Sequence, residues 1–219
     1  APGASRAEWI WSDSGYNTAP GDQAVHFRHT FTLDKVPPAA FLTATADNEF
    51  VLYLNGKKLL EGSEWNAPVS ADARKKLRRG KNLLAVRAAN TGGSPNPAGL
   101  IVSLKGMDQK GAPLFETATS KAWLHSLDAG KDWHLPAASE AGWKTSFRIG
   151  DLDAGPWNVG GHFQASGPQA GVEVRTSLTF ADPLQVSLGR PNREQVVSRR
   201  ESVTTLLQAL ELTNGTTLD

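Results

Sequence analysis

The sequence contains no cysteine. That excludes disulfides, thiolate nucleophiles, cysteine-ligated zinc and covalent haem attachment within the chain. It also lacks any apolar run near the roughly 20 residues that cross a bilayer as a helix. Neither sign of charge dominates, with 23 Lys and Arg against 22 Asp and Glu. No global field therefore draws the chain to nucleic acid or to a membrane surface. A nucleophile-elbow pattern and EF-hand spacing are both missing. No alternation of strand and helix suggests a nucleotide-binding parallel sheet. The opening Ala1-Pro2-Gly3-Ala4-Ser5 has no charged n-region and no apolar h-region, so it reads as a mature terminus or linker rather than a signal peptide.

What is present is turn chemistry and tryptophan: 21 Gly, 13 Pro and seven Trp in 219 residues. That length allows one full domain with an appendage, and a core large enough to fold without staples. In Val25–Leu33 the apolar residues Val25, Phe27, Phe31 and Leu33 hold odd positions, with polar residues at every even one. A period of two predicts a strand with one buried and one solvated face, and His29 is the exception on the inner side. Phe41–Ala46 and Glu49–Leu54 read as the next strands. Asn55-Gly56 then precedes Lys57-Lys58-Leu59-Leu60, the strongest short hairpin signal, because both turn residues must take positive φ. Asp72–Arg79 reads as a short helical or irregular turn, followed by strands Leu83–Ala89 and Leu100–Leu104. Short strands at this spacing predict a mainly β fold, an antiparallel β-sandwich or jelly roll.

Three zones divide the chain: a sandwich over residues 8–163, a linker with one strand (Val172–Phe180) over 164–183, and a segment over 184–219 with a short C-terminal helix. Val203, Leu206, Leu207 and Leu210 form one helical face, with Ser202 as N-cap and Asn214-Gly215 as the stop. A helix this short must pack on a larger body.

The first zone carries an ordered set of strings. Ala7-Glu8-Trp9-Ile10-Trp11 is followed by Phe27–Leu33, then by Ala46-Asp47-Asn48-Glu49-Phe50-Val51-Leu52-Tyr53-Leu54-Asn55-Gly56. Arg79–Val86, Pro97–Ile101, Trp123 and Trp143 come after them. Together these resemble the galactose-binding-like jelly rolls that accompany the catalytic domains of bacterial α-L-rhamnosidases. The resemblance implies an eight- or nine-stranded sandwich, a polysaccharide or other glycan as ligand, and in some relatives a calcium ion. Ser187–Val197 with Thr204–Gly215 resembles the C-terminal part of a planctomycete-type domain of unknown function found in large exported, cytochrome-associated proteins. The two together imply an extracytoplasmic setting (periplasm or cell surface), with neighbouring domains of a longer protein as partners.

A sugar site needs an indole face for the C–H surface of the ring, and fixed polar groups for its hydroxyls. Glu64-Trp65-Asn66 after the hairpin, Asp47-Asn48 before it, Asn90 in the Gly/Pro loop and Trp157 near the end have that composition. Trp9, Trp11, Trp123 and Trp143 are expected in the core. Asp13, Asn17 and Asp22 make an oxygen-rich loop that would suit a structural calcium, against the simpler reading of Asx-turns. His125, Asp128, Asp132 and His134 flank Gly130, read as a hairpin turn, with no fixed metal geometry. Arg74-Lys75-Lys76-Leu77-Arg78-Arg79-Gly80-Lys81 reads as a solvated face around a buried Leu77, or as a dock for an anionic polymer. The leading expectation is a non-catalytic carbohydrate-binding module. The alternatives are a structural module that orients its neighbours, and a glycoside-active enzyme built on Glu49 and Glu64.

Overall fold

The structure, a computed structural model, describes residues 6–165, all within the unit Ala1–Ala170. The strand expected at Val172–Phe180, the helix around Val203, Leu206, Leu207 and Leu210, and the segment 184–219 lie outside the described residues.

The period-two segments become strands. In chain order they are β1 (Trp9–Trp11), β2 (Ala24–Leu33), β3 (Ala39–Asp47), β4 (Glu49–Leu54), β5 (Lys57–Gly62) and β6 (Val69–Asp72). They continue with β7 (Gly80–Ala89), β8 (Gly99–Met107), β9 (Pro113–Ala118), β10 (Leu124–Ser126), β11 (Lys144–Thr145) and β12 (Phe147–Gly150). A short helix, α1 (Gly160–Ala165), ends the described chain. The first sheet runs β12-β1-β8-β3-β6, with β9 also on β8; the second runs β11-β10-β2-β7-β4-β5. Every pairing is antiparallel. The fold is thus the expected antiparallel sandwich, with more strands than the eight or nine implied by the resemblance. The short β6, β11 and β12 span only two to four residues each, too few for an alternation to stand out.

The hairpin falls at Asn55-Gly56, with φ of 54° and 80°. β2 pairs with β7 over its whole length, from Ala24 opposite Ala89 to Leu33 opposite Gly80. The inner faces of the sheets enclose a core that includes Trp11, Phe27, Leu52, Val86, Leu100 and Trp123. His29 stays on this side, stacked on Trp123 at 5.2 Å. Leu77 is buried amid the exposed Arg74, Lys75, Arg78 and Arg79.

The outer faces are less open than the alternation predicts. Residues 151–165 cover the outer face of the first sheet, where Trp9, Ile101, Leu152, Trp157, Val159 and Phe163 form a second apolar cluster. Residues 127–143 cover part of the second sheet's outer face; they run in turns and bends, so no hairpin forms at Gly130. Arg28, at an even and supposedly solvated position of β2, is only 2% exposed. Its Nε donates to Glu140 at 3.0 Å, and its terminal nitrogens donate to the carbonyls of Trp133, Leu135 and Ala138. Trp143, expected in the core, instead lies half-exposed on this strap with the Arg28 guanidinium 5.7 Å from its ring. The strap also explains the unbroken apolar run of β7: Leu84, Val86 and Ala88 join the core, while Leu83 and Ala85 are buried on the opposite face.

Candidate functional site

Asn48 alone joins β3 to β4. Asp47 pairs with Gly99 in the first sheet, and Glu49 pairs with Ala89 in the second, so the chain changes sheet within one residue. The Asp47–Asn48 peptide is cis. Asn48 ties this corner to its surroundings: its Nδ2 donates to Asp47 Oδ1 at 2.8 Å, and its Oδ1 accepts the Thr91 N–H at 2.8 Å.

The neighbouring loops are fastened to the same end. Asn90 is fully buried, with Nδ2 3.1 Å from the carbonyls of both Ala19 and Pro20 and 3.4 Å from that of Asn96. One side chain thus holds the loop after β1 against the Gly/Pro loop after β7. Its Oδ1 is buried and has no protein partner among the described residues. Trp157 donates its Nε1–H to Asp47 Oδ2 at 2.9 Å and stacks on Trp9 with centroids 4.2 Å apart. Gly99 makes that stack possible: a Cβ there would fall 2.8 Å from Trp9 Cε3 and 2.9 Å from Trp157 Cη2. The Thr45 hydroxyl lies 3.1 Å from the carbonyls of both Glu64 and Trp65, which fixes the loop after β5 beside the same cluster. Trp65 packs half-buried against that cluster, while Glu64 and Asn66 are exposed.

The seven sugar-site candidates therefore divide in two. Asp47, Asn90 and Trp157 are buried and form a scaffold of hydrogen bonds and stacked rings. Asn48, Glu64, Trp65 and Asn66 present partly or fully exposed groups beside it. Burial pushes the Asp47 carboxyl above the usual aspartate value, while the Trp157 N–H acts in the opposite direction. Tyr16, which the sequence did not single out, joins the cluster half-buried, 6.3 Å from Trp157 and 6.3 Å from Phe147. Its signal was modest: one of two tyrosines, set inside the oxygen-rich loop.

The three oxygen donors of that loop, Asp13, Asn17 and Asp22, are all exposed. Asp13 is exposed, with Oδ1 accepting the Gly15 N–H at 2.7 Å and Oδ2 the Ser12 hydroxyl at 3.2 Å, an Asx-turn. Asn17 lies exposed in a 3-10 turn, and Asp22 is exposed with φ of 67°. Among the described residues no three His, Cys, Asp or Glu side chains come together as a metal site. His125 lies buried on β10, whereas Asp128, Asp132 and His134 belong to the strap.

The class the fold defines is an antiparallel sandwich of the kind carried by sugar-active and sugar-binding proteins, and particular solved structures bear this out. The chain is similar to a Streptomyces avermitilis α-L-rhamnosidase solved with L-rhamnose: 26% identity, 73% of this chain, 16% of that one, TM-score 0.65. The Pleurotus ostreatus lectin in its apo form matches at 26% identity over 70% of this chain and 44% of its own, TM-score 0.61. A rhamnosidase of Bacillus sp. GL1 matches at 26% identity over 71% of this chain and 19% of its own, TM-score 0.59. The chain thus spans less than half of each of these proteins. No family model matches it, and no curated protein matches it.

Proposed function

We propose that the sandwich is a non-catalytic carbohydrate-binding module of a larger exported protein. The observation that carries this reading is the half-buried Trp65 packed against the Trp9–Trp157 cluster, with Thr45 holding the Glu64 and Trp65 carbonyls two residues before the Asp47–Asn48 corner. A half-exposed indole beside amide and carboxylate groups offers a stacking face and hydrogen-bond partners together. Anchoring those groups on a buried framework limits the entropy lost when a ligand orders them. Likeness to rhamnosidases and a fungal lectin at 26% identity favours glycan as the ligand class. The small share of each rhamnosidase that is matched favours a module within a longer chain.

A glycan array followed by calorimetry tests the reading. Binding of a neutral mono- or oligosaccharide that weakens about tenfold or more in Trp65→Ala supports it. Absence of binding to every neutral sugar favours the second reading, a structural module that orients its neighbours. Burial of Asp47, Asn90 and Trp157 is the observation behind that alternative.

A further inference from the structure

At the far end of the second sheet's outer face, about 310 Å³ of open space lies between the strap and β2–β7. Three cations line it, Arg28, Arg78 and Lys81, against the single carboxylate of Glu140. Arg28 and Glu140 neutralise each other at 3.0 Å, and the strap carbonyls take further guanidinium donors. Arg78 and Lys81 are exposed, and neither forms a salt bridge among the described residues. The same holds for Arg74, Lys75, Lys76 and Arg79 of the same basic run. Among the described residues, no carboxylate is paired with Arg78 or Lys81 at this mouth.

The backbone beneath these cations is fixed in advance. Asn82 is 1% exposed; its Nδ2 donates to the carbonyls of Arg78 and Gly80, and its Oδ1 accepts the Arg78 N–H and Asn55 Nδ2. Arg78 Nε donates to the Lys81 carbonyl at 2.8 Å, which leaves the terminal nitrogens of its guanidinium for a ligand. Thr30 contributes an exposed hydroxyl, and Pro136 and Leu83 contribute apolar surface. Guanidinium and ammonium groups suit a carboxylate or sulfate. The adjoining hydroxyl, carboxylate and apolar patch suit the remainder of a sugar ring, and the volume lies at the small end of ligand sites.

The geometry points to a second binding site here, selective for an acidic glycan through a uronate or sulfate group held by Arg78 and Lys81. The glycan part of this inference rests on the proposed carbohydrate reading; the anion part rests on the pocket. The two sites are separate, because Lys81 and Ala89 occupy opposite ends of β7, about 26 Å apart at 3.3 Å per residue.

The test uses the full chain, with tetragalacturonate and a sulfated heparin disaccharide as probes, by calorimetry at low and physiological salt. At least one probe should bind, weaken as salt rises, and lose tenfold or more affinity in the double variant R78Q/K81Q. Trp65→Ala should leave that binding unchanged. Unaltered melting of R78Q/K81Q checks that the fold is intact. The inference is overturned if neither probe binds, if the double variant binds as well as the parent, or if inorganic sulfate alone binds as tightly. Loss of acidic-probe binding in Trp65→Ala but not in R78Q/K81Q would move the ligand to the loop end. That result would overturn the pocket while supporting the proposed function.

Discussion

Each sheet carries a cover, and the two covers are built from opposite chemistry. Residues 151–165 lie on the first sheet through indole, valine and phenylalanine, with polar ties from Trp157 to Asp47 and from Lys105 to the Phe163 carbonyl. The strap 127–143 lies on the second sheet around a buried arginine that grips three carbonyls and a glutamate. Apolar cover is tolerant of modest change, because its stabilisation is spread over area. A cover clamped by a buried charge depends on one side chain, since removing it strands several polar groups together.

The sharpest way to break this comparison is Arg28→Met. It should cost about 3 kcal/mol and expose the strap to proteolysis before the rest of the domain, as read by urea unfolding and by mapping the first cleavage site. Equal stability in that variant would mean that the strap is held by its aromatic contacts, among them Trp133 against His26 at 4.7 Å. Next in size is Trp157→Phe, which keeps an aromatic ring but removes the N–H that Asp47 accepts. A loss of about 2 kcal/mol should follow from the unsatisfied carboxylate, with little change in the strap's protease sensitivity.

The smallest effect is a difference in pH dependence. Burial holds the Asp47 carboxyl above its ordinary value of 3.8, so the folded state keeps this proton more tightly than the unfolded chain does. Its contribution is full below about 3.8 and is lost as pH rises through the raised value. On acidification the parent should therefore gain stability relative to Asp47→Asn. In the second sheet the sign reverses. Burial lowers the pKa of His26, His29 and His125 below 6.5, so their contribution is present above that value and is lost as pH falls through the lowered ones. Urea midpoints measured from pH 4 to 8 separate the two trends.

The sandwich was legible because its signals are local. Alternation in β2 and the positive-φ pair Asn55-Gly56 require no knowledge of distant residues. The covers were not legible in that way. Arg28 sits in an alternating pattern identical to that of a solvated strand edge, and only a segment more than 100 residues later buries it. The loop end was half legible. Composition marked which loops carry amides and indoles, and pairing of β3 with β8 and β4 with β7 brings them together. Composition does not separate a side chain that faces a ligand from one that holds the loop: Asn66 and Asn90 look alike in sequence, yet one is exposed and the other sealed.

Gly99 leaves no room for even a methyl group between two indoles. Because one of those indoles grips the carboxylate at the sheet-changing corner, the width of a strand residue is geared to the posture of the loops above it. A single carbon added at Gly99 would displace Trp157, loosen Asp47 and shift Asn48. The proposed binding surface would then be detuned from underneath, without altering any group assigned to ligand contact.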